Sequence, residues 1–546
     1  MLKKISICLF LLITVYTRFV NLNWDRGWGF HPDENNLWGA SRSIKWFSNI
    51  DPKFYAYGGF PIYLYSFFNS KVQARAVSAF LQIIIIGLLF LIGKKLKGNR
   101  LGFIAALIGI FSAGLVQAAH FLTVESILGF LGLAILFCLL NYDDAGKRKN
   151  LWLLTAAVVL GLGIGTKMSF AVFGLPFFGR ALIFLKRKSV GASEPRSRAL
   201  ARHARRACEQ ASVLLGLFII AVSIFILTNP FILSKFQDVK STLRYETNVA
   251  MGNLPVFYTR QFTGTVPGWF QAVHIFPFIT GWLFIPMFLV GVSALFAKVR
   301  PWRMPRPNLL MLLAALSALL SFLPIWAKWT RYVVQILPIL ILAAAIGADW
   351  IWEKGKVGKA VAILAIISFL PQFFSVIKVY GNTDNRLAVA DWAVANIPKK
   401  AKIFTEGMDL GIIPFNPIHG ENTVLFNFYE LDEDKTGQRQ ILLNTLINEN
   451  EYFISVSNRV YGNSLRSPDK FPASSEFYNR LFDGTLGYQK IYESPSVVIP
   501  AKAGIYLNRF PVKPGMTVGF APEETFQVFD HPKIMIFQKV NTFLRS

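Results

Sequence analysis

Long apolar runs recur through the first 377 residues and limit the folds that this chain can adopt. A helix that spans a bilayer needs about 20 mostly apolar residues, and a chain that is 53% hydrophobic has more apolar surface than one soluble core buries. The sequence therefore predicts a mainly α-helical polytopic membrane protein with about eleven transmembrane helices. The candidate spans are 5–22, 71–93, 101–119, 125–141, 151–166, 168–185, 211–229, 272–297, 309–325, 332–350 and 358–377.

The net charge of +26 is spread unevenly over the predicted loops. When the loops are numbered alternately from the N-terminus, one side receives nearly every dense basic cluster, including "GKKLKGNR", "GKRKN" and "EKGKVGK". This distribution follows the positive-inside rule and predicts a cytoplasmic N-terminus. Basic proteins often bind nucleic acid, but clusters confined to one membrane face suit anionic lipid headgroups. We therefore expect membrane lipids, and no nucleic acid, as partners.

The tail of the chain differs in composition from the spans before it. Its apolar runs shorten to strand-like pieces such as "AKIFTE", "YFISVS" and "KIMIFQKV", which turn residues separate. We predict a membrane domain over 1–377 and an extracytoplasmic α/β domain over 378–546. Segment 494–524 is rich in Pro and Gly and is predicted to be an inserted, exposed loop without function. A turn before the final strand explains Asp530 and His531 more simply than catalysis does.

Carboxylates gather at the outward ends of the predicted spans. In "HPDE", Pro32 suits the first position of a helix. Asp33 and Glu34 then fall in a first turn, where the helix dipole favours anions by roughly 0.3–1 kcal/mol each, so they either stabilise this helix start or carry chemistry. Glu125 heads an apolar run, with His120 shortly before it. An ionisable group at a membrane edge is costly unless it is paired, so Glu125 is a functional candidate, with helix capping as the alternative.

Three cations lie in outward loops beside apolar runs: Lys167 in "GIGTKMSF", and Lys328 and Arg331 in "WAKWTRY". A guanidinium binds phosphate through two parallel hydrogen bonds, and an ammonium adds a point charge. These residues are therefore candidates for binding a lipid-linked phosphate. They could equally reach ordinary phospholipid headgroups, as long basic side chains do at membrane edges.

The outward stretch "YAYGGFPIYLYSFF" supplies four tyrosines, including Tyr57 and Tyr63, and a Gly58-Gly59 pair that predicts a flexible hinge. Tyrosines at a membrane interface often form only an aromatic belt. They would equally suit an aromatic entry for a lipid or a sugar. Arg244, in a later outward loop, adds a basic group without a diagnostic spacing.

Taken together, these motifs resemble those of GT-C glycosyltransferases. The segments "HPDE", "YGGFPIY", "TVES", "TKMSFAVFGLP", "TNPFIL" and "KWTRYVVQILPIL" have the order and sidedness of bacterial relatives of protein O-mannosyltransferases and aminoarabinose transferases. The resemblance covers residues 1 to about 350. It implies a GT-C-like enzyme of the bacterial plasma membrane. Such an enzyme takes a sugar from a polyprenyl-phosphate carrier and transfers it with inversion to an extracytoplasmic acceptor, whether lipid, glycan or protein.

The resemblance also implies catalytic roles for individual residues. Asp33 would be the general base that deprotonates the acceptor hydroxyl, with Glu34 as the less favoured candidate. Glu125 matches a second acidic position, near which a divalent metal is implicated in some relatives. Such a metal would take ligands from Asp33, Glu125 and His120, with His31 as a further nitrogen donor, although no ligand spacing requires it.

The remaining candidates would bind substrate. By resemblance, three cations hold the carrier phosphate and stabilise its leaving charge. These cations are Lys167, Lys328 and Arg331. The predicted contacts with the rest of the substrate are His31, Tyr57, Tyr63 and Arg244.

Two other classes of protein compete with this interpretation. A lipid-linked sugar flippase or polysaccharide transporter would also need many spans and ionisable groups, but transporters commonly place such groups near mid-span. Here the charged residues of the motifs collect at the outward edges. A receptor or scaffold would explain the tail but not the converging carboxylates and cations. The sequence therefore favours an enzyme, with the flippase as its alternative.

Overall fold

The computed structural model describes residues 2–142, 149–185, 196–296, 306–409, 411, 415, 420–495 and 521–540. Helices dominate the first domain and end at Gly381. Its α-helices are Leu2–Phe19, Pro32–Ser43, Gly59–Ser66, Lys71–Lys97, Asn99–Ile110, Ala113–Ala119, Glu125–Tyr142, Lys149–Ile164, Gly174–Leu185, Arg196–Leu227, Phe231–Ser234, Phe236–Met251, Trp269–His274, Phe276–Ile279, Phe284–Phe296, Arg306–Leu320, Thr330–Val334, Leu337–Trp352, Lys356–Ile367 and Leu370–Gly381. Short 3-10 helices lie at Met168–Phe173 and Phe257–Phe262.

Three helices in the described part of the chain are long and apolar enough to cross a membrane: Lys71–Lys97, Glu125–Tyr142 and Lys356–Gly381. Two bent pairs raise the number to five if each pair is one span: Asn99–Ile110 with Ala113–Ala119, bent by 62°, and Trp269–Ile279 with Phe284–Phe296, bent by 110°. Shorter apolar helices are Cys8–Phe19, Asn150–Ile164, Met168–Gly179, Ser212–Leu227, Pro307–Leu320 and Leu337–Trp352. Every predicted apolar run coincides with one of these elements, which confirms the helical fold class; the number of spans stays a prediction.

The "YGGF" segment packs against two other motif segments at one junction. The amide of Gly58 donates to the Thr166 carbonyl at 2.9 Å, and the amide of Gly59 donates to Asn229 Oδ1 at 2.7 Å. A Cβ atom on Gly58 would lie 2.0 Å from the Gly165 carbonyl oxygen, which is too close for any side chain. The glycines therefore permit tight contact between chain segments. The predicted flexible hinge is wrong.

A five-stranded sheet forms the centre of the described C-terminal domain. Its strands are β1 (Ile403–Glu406), β2 (Thr423–Phe426), β3 (Tyr452–Ser455), β4 (Tyr488–Glu493) and β5 (Met535–Lys539), in the order β2-β1-β3-β5-β4. Strand β1 pairs in parallel with β2 and β3, while β5 is antiparallel to β3 and β4. The helices of this domain are Asn385–Asn396, Phe428–Leu431, Gln438–Glu449, Asn458–Arg466 and Pro472–Phe482, with 3-10 helices at Gly420–Asn422 and Glu524–Phe526.

Apolar side chains cover both faces of this sheet. Successive residues of a strand point to opposite faces. Phe404 packs with Phe477 of the helix Pro472–Phe482 on one face, and Ile403 packs with Val389 of the helix Asn385–Asn396 on the other. This two-sided core confirms the α/β domain that the sequence predicted in the tail.

The predicted inserted loop, 494–524, is only partly described, because residues 496–520 lie outside the described residues. At the end of the loop, the amide of Glu523 donates to the His274 carbonyl at 2.9 Å. Glu523 and Glu524 are both buried. This end belongs to the folded core, so the prediction of an exposed loop is wrong for these residues.

Candidate active site

The helix Pro32–Ser43 begins where the sequence predicted, with His31 as the extended residue before it and Pro32 at its start. Both acidic residues lie in its first turn. Successive residues of an α-helix point about 100° apart, so the two carboxylates have different surroundings. The Asp33 side chain is 20% exposed, whereas Glu34 is fully buried.

Glu34 belongs to a buried group of charges that we call the Arg75 clamp, which consists of Asp25, Glu34 and Arg75. The Arg75 guanidinium donates to Glu34 at 2.5 and 3.0 Å and makes two bonds of 2.9 Å to Asp25. The amide of Leu122 donates to Glu34 at 2.7 Å. Buried charges are tolerated when they are paired and hydrogen-bonded. Because its oxygens are occupied in this way, Glu34 has a structural role, and Asp33 is the acid of this turn that reaches the cavity described below.

Sequence reasoning missed both partners of Glu34 in the clamp. Arg75 carried a signal, because it is an arginine inside the apolar run 71–93, where an ionisable group needs a partner. Asp25 carried no such signal in the sequence. Its carboxylate also accepts hydrogen bonds from the nearby amides of Gly27 and Gly29 at 3.2 and 3.1 Å. An aspartate in such a position looks in sequence like any loop aspartate that bonds to nearby amides.

Asp33 forms an ion pair with Arg331, whose Nη1 donates to Asp33 Oδ2. Arg331 lies in the short helix Thr330–Val334, and its guanidinium is 4.8 Å from the centre of the Trp329 ring. Burial disfavours the Asp33 carboxylate, but the charge and hydrogen bond of Arg331 outweigh burial and lower the pKa of Asp33. Asp33 is therefore ionised at neutral pH.

A cavity opens beside this ion pair. Four residues that the sequence singled out line it: His31, Asp33, Glu125 and Arg331. The other lining residues are Gly114, Gln117, Ala118, Phe121, Thr123, Thr330, Val334, Thr525 and Phe529. These residues come from distant parts of the chain, so the fold brings together side chains that no local motif connects.

Lys167 and Tyr57 lie close to the ion pair, although neither lines the cavity. Lys167 Nζ is 4.4 Å from the centre of the Tyr332 ring. Burial lowers the pKa of Lys167 to about 8, and the charge of Glu125 opposes this shift. Burial also raises the pKa of Tyr57, and the nearby charge of Asp33 adds to this effect. An ammonium that titrates near pH 8 and a neutral phenol therefore flank the pair.

Three predicted substrate-binding residues are not brought to the cavity. Lys328 is buried, and its ammonium donates to the Trp326 carbonyl at 2.6 Å. Tyr63 Oη donates to the Ile50 carbonyl at 2.9 Å. Arg244 is exposed on a helix outside the cavity lining. This arrangement does not support the predicted contacts of these three residues with substrate.

The predicted metal ligands do not form a metal site. Among the described residues, no group of three or more His, Cys, Asp or Glu side chains could hold a metal ion. The ring nitrogens of His120 face the carbonyls of Val116 and Val20, each at 2.8 Å, and the ring stacks on Tyr380 at 3.5 Å. His120 is thus engaged elsewhere, and Asp33 is paired with Arg331 instead. The donor set does not fit a metal.

The cavity includes a part of the chain that sequence reasoning did not connect with the site. We call residues 523–530 the wall segment. Its Glu523 accepts from the Thr330 amide at 2.9 Å, and its Asp530 accepts from Tyr380 Oη at 2.6 Å and from Gln117 Nε2 at 3.1 Å. Asp530 is therefore more than a turn residue, because it anchors the C-terminal domain to the helical domain. The acidic residues within "PEETFQVFD" could have predicted these contacts from the sequence, because acidic side chains among apolar residues need partners when they are buried.

We expect Glu34→Gln to destabilise the protein far more than Asp33→Asn. Removing one member of a buried ion group leaves the others poorly paired and costs about 3–5 kcal/mol of unfolding free energy. Asp33 is partly exposed, and loss of such a pair costs about 0–1 kcal/mol. Thermal unfolding of the detergent-solubilised variants measures the difference. Equal melting temperatures would contradict the structural role of Glu34.

Residues 62–201 match the family model for dolichyl-phosphate-mannose-protein mannosyltransferase. The matched segment contains Arg75 of the clamp, Glu125 of the cavity and Lys167 beside the ion pair. A comparison with curated proteins found no match.

Among solved structures, the chain is similar to ArnT from Cupriavidus metallidurans bound to undecaprenyl phosphate, with 16% identity and a TM-score of 0.47 over 84% of this chain and 94% of that chain. It is similar to the oligosaccharyltransferase AglB from Archaeoglobus fulgidus, solved with an inhibitory peptide and a dolichol-phosphate, with 12% identity and a TM-score of 0.47 over 97% and 88% of the two chains. The S. cerevisiae Pmt1-Pmt2 complex bound to the sugar donor gives 14% identity and a TM-score of 0.32 over 44% and 34%.

The family match lies within the helical domain, between Asp33 and Arg331 in the sequence, and it contains Glu125 and Lys167 near the ion pair but neither member of the pair. Together with the helical architecture, it confirms the resemblance that the motifs predicted. The chain is a mainly helical membrane protein that resembles the GT-C glycosyltransferases of the protein mannosyltransferase type.

Proposed function

We propose that this protein transfers a sugar from a polyprenyl-phosphate carrier to a hydroxyl group of an extracytoplasmic acceptor, with inversion at the sugar carbon. The Asp33–Arg331 ion pair carries the proposal, because it sets a carboxylate base and a phosphate-binding group side by side at one cavity. The family match supports a donor of this class. We also propose that the membrane is the bacterial plasma membrane and that the cavity faces outward, because the topology predicted from the sequence assigns the basic clusters to the cytoplasmic side.

Arg331 and Lys167 are suited to hold the carrier phosphate. A guanidinium presents two parallel donors to phosphate oxygens, and an ammonium contributes a point charge. Both cations are electrostatically coupled to Asp33, so they lie where a leaving phosphate would meet the base. Stabilisation of charge that develops in the transition state is usually the largest contribution to such a transfer.

Asp33 is the proposed general base. It would take the proton of the acceptor hydroxyl as that oxygen attacks the anomeric carbon of the sugar. The new carbon–oxygen bond forms on the face opposite the phosphate, and the bond from this carbon to the phosphate oxygen breaks with its electron pair. The carrier leaves as the lipid phosphate, and the single displacement inverts the carbon. General-base catalysis of this kind contributes about 10²–10⁴-fold.

The ion pair also connects donor binding with the strength of the base. While Arg331 pairs with Asp33, the pKa of Asp33 is low and its carboxylate is a weak base. A carrier phosphate that draws Arg331 towards itself removes part of this stabilisation, and the pKa of Asp33 rises. Donor binding therefore prepares the base.

Glu125 is proposed to hold the cations rather than to move a proton. It is buried at the start of the helix Glu125–Tyr142, where the helix dipole favours a carboxylate. Its charge is coupled to both Lys167 and Arg331. A fixed anion that attracts both cations helps to keep them close enough to bind one phosphate.

We expect Asp33→Asn to slow sugar transfer strongly. Purified wild-type and variant proteins are incubated with a panel of radiolabelled polyprenyl-phosphate sugars and a host membrane extract, and the transferred sugar is measured. The wild-type protein should form product with at least one donor, and Asp33→Asn should be slower by about 10²–10⁴-fold, because an amide cannot accept the proton. Asp391→Asn makes the same change at an exposed position and should keep wild-type transfer.

Equal transfer by the wild-type protein and Asp33→Asn would remove Asp33 as the base. Movement of labelled donor across liposomes by the wild-type protein, without any glycosylated product, would instead favour the flippase over the transferase.

We expect carrier binding to weaken as the pH rises through about 8, the pKa of Lys167. This pKa is lowered, so Lys167 is mostly charged at pH 7 and mostly neutral at pH 9, and its charged fraction falls about tenfold while Arg331 stays charged. The dissociation constant of polyprenyl phosphate, measured at both pH values, tests this expectation. Lys167→Arg stays charged and should flatten the pH dependence, whereas Lys328→Arg should not. The same pH dependence in wild type and Lys167→Arg would contradict a phosphate-binding role.

A further inference from the structure

The cavity wall that the C-terminal domain supplies is built around His31. The Phe529 ring stacks on the imidazole with 4.2 Å between ring centres. The Phe121 ring packs against the imidazole in an edge-to-face arrangement, with 4.6 Å between ring centres. Burial lowers the pKa of His31. The result is a neutral imidazole held between two aromatic rings, and one of these rings belongs to the wall segment.

Two polar atoms in this part of the cavity lack partners. His31 Nδ1 and Thr330 Oγ1 are buried, and neither has a hydrogen-bond partner within the described part of the protein. Both residues line the cavity. The wall segment fixes both of them, since Phe529 stacks on His31 and Glu523 binds the Thr330 amide. A buried polar atom without a partner is costly, so these two atoms are suited to a hydroxyl-bearing ligand.

The proposed phosphate position lies away from the part of the cavity formed by His31, Thr330 and Phe529, which leaves this part free for the acceptor. Lys167 and Tyr332 lie beside the ion pair but do not line the cavity, whereas His31, Thr330 and Phe529 do. In an inverting displacement the acceptor oxygen and the phosphate lie on opposite faces of the sugar carbon. If the phosphate binds towards Lys167, the acceptor approaches from the side of the cavity wall.

We propose that Phe529 of the C-terminal domain determines acceptor specificity by forming the acceptor side of the cavity together with His31 and Thr330. This inference rests on the proposed transferase function. Glu523 and Asp530 are positioning residues, because they fasten the wall segment to the helical domain at Thr330, Tyr380 and Gln117. The C-terminal domain is thus part of the site, and its role is to admit the correct hydroxyl group to Asp33.

The test measures two fates of one labelled donor. The full-length protein is incubated with the radiolabelled polyprenyl-phosphate sugar that the donor panel identifies, in a host membrane extract. Transfer into product reports use of the native acceptor, and release of free sugar reports use of water. Phe529→Ala should lower the ratio of transfer to release about tenfold, because a missing wall no longer positions the acceptor. The KM for the donor should change much less than this ratio.

Phe526→Ala is the matched control. Phe526 is buried in the same segment but does not line the cavity, so this variant should keep the wild-type ratio even if it lowers stability. Where Phe529→Ala fails to fold, as judged by gel filtration and melting temperature, Phe529→Leu replaces it and should lower the ratio in the same direction.

Three outcomes would overturn the inference. Phe526→Ala and Phe529→Ala could lower the ratio equally, which would show a packing role only. Phe529→Ala could lower transfer and release in parallel or leave both unchanged. It could instead raise the donor KM at an unchanged ratio, which would place Phe529 on the donor side. If the wild-type protein neither transfers nor releases sugar from any donor, the proposed function itself fails, and this inference fails with it.

Discussion

Pairing of buried charge fixes the first loop of the chain, and the cavity depends on where that loop starts its helix. The guanidinium of Arg75 bridges Asp25 and Glu34, and all three side chains are buried. Leaving one of them unpaired would cost several kcal/mol, so the loop has one favoured position. Because Glu34 is engaged, its neighbour Asp33 points about 100° away around the helix, where it meets Arg331. One helical turn thus supplies a structural acid and a reactive acid, and the first sets the position of the second.

Local chemistry made part of this site predictable. Pro32 before two acids predicted the helix start, and charges at the outward ends of apolar runs marked Asp33 and Arg331 as functional candidates on one side of the membrane. Only the family resemblance implied that they share one site. The same reasoning could not separate Asp33 from Glu34, because the partner that buries Glu34 is an arginine 41 residues away. It also could not separate Arg331 from Lys328, since both fall in one short predicted loop. Packing alone turns the Lys328 ammonium towards a carbonyl and aromatic rings.

Contacts between distant segments account for the other differences from expectation. A pair of glycines predicts local freedom, but Gly58 is needed because Gly165 approaches it from another segment. Phe529 was not predicted as a site residue, because its stacking on His31 joins opposite ends of the chain. The hydrophobic pattern predicted the helical domain and the sheet domain separately. It contained no information about how the second domain closes the cavity of the first.

The most direct test of the shared Asp33–Arg331 site is the affinity of purified protein for polyprenyl phosphate, measured for wild type, Asp33→Asn and Arg331→Ala. Arg331 holds the phosphate in this account, and Asp33 competes with the phosphate for the same guanidinium. Arg331→Ala should therefore bind the lipid phosphate about tenfold more weakly or worse. Asp33→Asn should bind it at least as tightly as the wild type, although it transfers sugar far more slowly. If Asp33→Asn lost binding as Arg331→Ala does, the carboxylate would belong to the phosphate site itself, and the assignment of base and anchor would be contradicted.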